Sequence, residues 1–256
     1  MQKQFGFILL ILSISSFSFS SQKDKSESQP ELKHIIQGEF ESSFGKGWQF
    51  LWNLNSTPHR IFGQSISQDF DANDPIASEY AARDFIFNHP SLFNIYEENL
   101  DLWVNEQHGN LRYLIFNQVY ENIPVWNGRI DFRYRLNGDL VMIGHDAFPN
   151  LNVNTNPGVS MDQAIFYSKI HVDFDENLND EIIGDPELYI WVEKGREPEY
   201  HLAWQLELFV HSTDLDDELP VHRWKIFIDA HSGDILEQFD EVRMATVEGH
   251  VSGPVK

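Results

Sequence analysis

The side chains that could do chemistry in this chain are mostly carboxylates. It holds 40 Asp and Glu against 18 Lys and Arg, with 11 His and no Cys. The lack of Cys removes thiol nucleophiles, disulfides and every Cys-based zinc site. Helix-borne zinc hydrolysis needs two His on one helical face with a Glu between them as base, and no His here begins that pattern. There is no Gly-x-Ser-x-Gly elbow, no Walker loop and no dinucleotide glycine fingerprint. Two acidic stretches begin like calcium loops: Asp69, Asp71 and Asn73, then Asp173, Asp175, Asn177 and Asn179. Both then fail, because the sixth residues are Asp74 and Leu178 and the twelfth are Tyr80 and Gly184, where such a loop needs Gly for its turn and Glu for bidentate closure. They read as solvated turns and helix caps. A paired-acid glycosidase would need two carboxylates facing one cleft, which spacing alone does not provide. The expectation is a chain with no catalytic residue, no metal ligand and no cofactor. Arg129, Arg133 and Arg135 recur along one strand, either as a docking stripe for an acidic protein partner or as the wet face of a sheet.

The elements that would carry these residues follow from periodicity. Asp74 is a fair N-cap, and Pro75 fits the first helical position. Ile76, Tyr80, Ala81, Phe85 and Phe87 then repeat at roughly helical spacing up to the "NHP" break at 88–90. Strands are expected at 48–54, 100–104 and 111–119. Ile130, Phe132, Tyr134 and Leu136 alternate with charged residues, and Asn137-Gly138 turns that strand back on "LVMIGHDAF". After the Asn-, Pro- and Gly-rich 149–158, Ser160 and Gln163 make a capping box for a second helix. Residues 173–187 carry seven acids and no base, an exposed loop. More strands follow at 188–192 and around Trp204 and Trp224, ending in the "AHSGD" hairpin at 230–234.

Over 256 residues, 41% hydrophobic and 14% aromatic content suffices for packed cores. A formal charge of −22 excludes the basic footprint that nucleic acid or an anionic membrane surface would require. Residues 1–20 have the pattern of a secretory signal: Lys3, an apolar run from Phe5 to about Ile14, and the small residues Ser18 and Ser20 at the minus three and minus one positions. That run is shorter than the roughly 20 residues a membrane span needs. The expected location is therefore secreted, extracellular or periplasmic, and the expected state is a monomer. Residues 21–44 are expected as a disordered linker, order beginning near Leu32.

Within "NQVYENIPVWNGRIDFRYRLNGDLVMIGHDAFPNL", Gln118, Tyr120, Pro124, Val125 and Gly128 fall in an order that resembles the core signature of the fungalysin/thermolysin propeptide (FTP) domain. The helix before it is similar to that family's helix. The second half resembles a PepSY domain, through "VSMDQAI", the Leu-Ala-Trp around Trp204, and the Asp229-to-Gly233 turn. The resemblance implies an FTP-like unit at 45–155 and a PepSY-like unit at 156–241, with 242–256 leading into a further domain. It implies an α+β fold of two consecutive cystatin-like units, each a helix on a curled antiparallel sheet. It also implies a non-catalytic pro-region that chaperones and inhibits a secreted zinc metalloprotease, whose catalytic domain is its partner in cis. The alternative is a protein-binding module retained at the N-terminus of a multidomain secreted or surface protein.

Overall fold

Period-two alternation produces strands, and eleven join in one sheet in the computed structural model, which describes residues 21–212 and 220–242. The expected signal at 1–20, the acidic segment 213–219 and the lead into a further domain at 243–256 lie outside the described residues. Among the described residues no helix is long and apolar enough to cross a membrane.

The chain enters through helix α1 (Ser21–Phe44), which corrects the expectation of a disordered linker. Ile36, Phe40 and Phe44 recur every fourth residue and so share one helix face. Phe40 is buried and meets Trp48 and Phe50 edge-on, with ring centroids 5.2 and 5.6 Å away. Burial of that face supplies what the polar composition of the segment's first half lacks.

Strands β1 (Gln49–Trp52) and β2 (Pro58–Ile66) precede helix α2 (Pro75–Asn88) and the single turn α3 (Pro90–Phe93). The Asp74 side chain accepts from the backbone N–H of Ile76 and Ala77, as its capping position requires. The buried face of α2 is not the expected apolar one. Ser78, Ala82, Phe85 and Ile86 face inward, whereas Ile76, Tyr80 and Phe87 are exposed by 79, 74 and 75%. Small residues at 78 and 82 bring the helix close to the sheet, and the Ser78 hydroxyl is satisfied by donating to the Asp74 carbonyl.

A meander follows: β3 (Leu100–His108), β4 (Leu111–Tyr120), β5 (Ile123–Arg135) and β6 (Leu140–His145). Helix α4 (Met161–His171) begins at the complete Ser160–Gln163 capping box. Then come β7 (Glu181–Ile182), β8 (Glu187–Glu193), β9 (Glu199–His211), β10 (Val221–Asp229) and β11 (Ile235–Asp240). The sheet order is β1-β2-β6-β5-β8-β9-β10-β11, with β4 also on β5, β3 on β4 and β7 on β9. Among the described residues every pairing is antiparallel except β5 with β8. The fold class is α+β on a largely antiparallel sheet.

The two acidic stretches form turns, as expected. Asp71 accepts from the Asn73 backbone, and Asp175 caps a short 3-10 turn at Glu176–Leu178. Asp180, expected in an exposed loop, is buried instead and takes the backbone N–H groups of Asp175 and His211.

The core has two large parts. One gathers Phe93, Phe116, Ile130, Phe132 and Tyr134 under α2, and the other gathers Ile190, Leu202, Leu206, Ile226 and Ile228 under α4. A smaller cluster of Trp191, Ala203 and Phe227, with Trp126 beside it, lies in the second half of the sheet.

Candidate functional site

Strand β5 belongs to both halves, and its irregular stretch makes that possible. Asn117 pairs with Arg129, but Val119 already pairs with Pro124, so residues 125–128 bulge out of the β4 ladder. The turn before it, Glu121-Asn122, has φ of 50° and 65°, the conformation of a tight hairpin. The bulge carries Val125 opposite Ile190 of β8, in a parallel pairing. Val125 thereby enters the second core, while Trp126 packs on Phe227 at 4.7 Å between ring centroids, with the Lys225 ammonium 5.6 Å from its ring.

Gln118 faces the bulge. Its amide nitrogen donates to the Phe148 carbonyl at 2.7 Å and its oxygen accepts the Phe148 N–H at 2.8 Å, all three groups buried. The amide thus acts as a rung of sheet for a segment that has left the ladder. Gly128 must be glycine here, because a Cβ would lie 2.7 Å from that amide oxygen and 3.0 Å from the Gln118 Cβ. Tyr120 lies half-buried against the second core.

The other signature residues are equally structural. Trp204 donates its indole N–H to the Val159 carbonyl at 2.8 Å, tying the entry of α4 to β9. Asp229 accepts from the backbone N–H groups of His231 and Ser232 and pairs with the His201 ring. Gly233 closes that turn at φ +82°, and a Cβ there would meet the Tyr167 ring at 2.8 Å.

The arginine stripe is interleaved with acids. Arg129 lies 3.8 Å from Asp146, Arg133 3.9 Å from Asp131 and Arg135 3.7 Å from Asp139. The stripe's face is not wholly wet, since Asp131 is buried and reached by Arg60 of β2 at 3.7 Å.

Where the halves meet, a cleft of about 430 Å³ opens. The β1–β2 turn supplies Asn53 and Asn55, β2 supplies His59, β5 supplies Asn127 and Arg129, and the β8–β9 loop supplies Lys194, Gly195 and Pro198. Asp146 and Phe148 form its floor, so the Gln118 contact sets that floor's position. Burial alone would raise the Asp146 pKa, but hydrogen bonds from His59 at 2.5 Å and Arg60 at 3.0 Å hold it below the usual carboxylate value. An ionised carboxylate locked this way is a poor general base. What the cleft offers is recognition chemistry: the cations of Arg129 and Lys194 and the amides of Asn53, Asn55 and Asn127, suited to polypeptide carbonyls and carboxylates. A second, more apolar depression of about 670 Å³ runs along α2 between Phe44, Phe70, Ile76 and Tyr80.

Spacing did not reveal His59, Arg60 and Asp146, because Asp146 follows the end of β6, more than 80 residues beyond the other two on β2. The available signal was "GHD" at the end of a predicted strand. A bare His145-Asp146 is too common to name a site.

No family model matches the chain. It is similar to Bacillolysin of Brevibacillus brevis, at 29% identity over 138 residues, 52% of this chain and 24% of that protein. The chain therefore spans about a quarter of that relative's length. Among solved structures, the Bacillus megaterium YpeB C-terminal domain aligns at a TM-score of 0.35 and 15% identity over 72% of each chain. An uncharacterized protein from Eubacterium rectale ATCC 33656 aligns at 0.38 and 11%, covering 86% of this chain and 83% of that one.

Proposed function

We propose that the chain is an exported, non-catalytic pro-region that assists the folding of a thermolysin-like zinc metalloprotease and inhibits it until cleavage. On this reading the protease catalytic domain lies outside these 256 residues. The FTP-like unit is 45–155 and the PepSY-like unit 156–241, each a cystatin-like helix on a curled antiparallel sheet. The similarity to part of Bacillolysin supports the reading. So does the use of Gln118, Gly128, Trp204, Asp229 and Gly233 to hold backbone in place. The cleft of Arg129 and Lys194 is the surface such a partner would meet.

The test adds the separate chain to its cognate mature protease. Slower peptide hydrolysis and a higher yield of active enzyme on dilution from denaturant are expected. No effect on either overturns the proposal. Mass spectrometry of the secreted product decides between this and a retained binding module, which would leave residues 32–241 attached.

A further inference from the structure

Strands β8 and β9 form a hairpin whose last pair is Glu193 opposite Glu199, with His201 two residues along on the same face of β9. One ring nitrogen of His201 and one carboxylate oxygen from each Glu lie within 4.8 Å of one another. Among the described residues neither Glu side chain has a hydrogen-bond or ion-pair partner. Two unpaired carboxylates directly across a ladder repel, and the chain already carries a net charge of −22. A cation between them would remove that repulsion.

The imidazole is prepared for such a role from behind. Its Nδ1 lies 2.9 Å from Asp229 Oδ2, and the other Asp229 oxygen is held by the backbone N–H groups of His231 and Ser232. Asp229 is therefore anchored independently of the cluster. With Nδ1–H donating to it, Nε2 carries the free lone pair. A carboxylate behind a ligating His, fixing its tautomer and orientation, is the usual support of a metal-bound imidazole.

We propose that Glu193, Glu199 and His201 bind a divalent transition-metal ion of the zinc type, with a fourth position open to water. One imidazole nitrogen and two carboxylates suit zinc, whereas calcium would need six to eight oxygens. The bound ion would clamp the base of the loop that brings Lys194, Gly195 and Pro198 to the cleft. The inference does not depend on the pro-region reading.

The test titrates the tag-free, chelator-treated chain with zinc by calorimetry, and follows its thermal unfolding with zinc, calcium or magnesium. One saturable zinc site and a zinc-specific rise in Tm are expected. Glu199→Gln should weaken zinc binding tenfold or more. It should also leave the metal-free chain as stable as the parent, or more so, because a like charge is gone. That second readout separates lost ligation from lost folding. His201→Gln should abolish the zinc-induced rise. The absence of saturable zinc binding, or parental zinc affinity in Glu199→Gln, overturns the site. An equal rise with calcium overturns the choice of metal.

Discussion

The side chain of Gln118 and the backbone of Phe148 form a two-point hydrogen bond, 2.7 and 2.8 Å long, across the place where β5 leaves its ladder. Gln118→Ala would leave a buried N–H and a buried C=O unpaired and should cost about 2–4 kcal/mol. Gly128→Ala, which pushes a Cβ onto the same amide, should cost about 1–3 kcal/mol. Because both act on one contact, the double variant should lose less than the sum. Urea denaturation of the four proteins measures this, and simple additivity would contradict the account.

His145 should make the chain acid-sensitive in a defined window. It is fully buried, its Nε2 lies 3.0 Å from the Phe93 carbonyl, and its Nδ1 accepts the Ala147 N–H. Both nitrogens are committed in the neutral form, and burial pushes the pKa down to about 4 from 6.5. Between those values the unfolded chain binds a proton that the native chain does not, so stability rises with pH there. The contribution is complete above about pH 6.5 and falls by up to about 3 kcal/mol on going to pH 4. His145→Gln should flatten the dependence of the urea midpoint between pH 7 and 4.5.

The depressed carboxylates act lower. Burial opposes ionisation of Asp146, Asp180, Asp229 and Asp240, yet hydrogen bonds from backbone or basic side chains hold each below its ordinary value. Their folded pKa values lie below the unfolded ones, so their stabilisation is present above about pH 4 and is lost as pH falls through the folded values. Acid titration of His145→Gln should therefore retain a transition below pH 4. Its disappearance would show that these pairs contribute nothing.

Arg60 joins two strands through carboxylates. It lies 3.0 Å from Asp146 and 3.7 Å from the buried Asp131. Arg60→Met should cost about 3 kcal/mol, because it takes the nearer cation from the buried Asp131 and a 3.0 Å partner from Asp146. The loss should persist at high salt, since screening reaches buried pairs poorly.

The cleft's charge can be separated from its architecture. Arg129 is half exposed and Lys194 sits on the β8–β9 loop. Converting both to Ala should change stability by no more than about 0.5 kcal/mol. If the proposed inhibition holds, the same variant should associate with the protease more slowly, most visibly at low salt. Unchanged inhibition at low salt would remove the cleft from the interface.

What the sequence determined by itself was local. The Asp74 cap, the Ser160–Gln163 box, the Asn137-Gly138 turn and the strand alternation each depend on residues within a few positions, so their chemistry is visible in a short window. Tertiary structure decided everything that depends on which surfaces meet. It turned α1 into an ordered helix by burying Phe40, and it chose Ser78 and Ala82 over Ile76 and Tyr80 as the inner face of α2. It sent the 125–128 bulge across to β8 and set Arg60 beside Asp131. A side chain's neighbours at long range are set by the sum of many weak packing terms over the whole sheet, and no window of a few residues contains that sum.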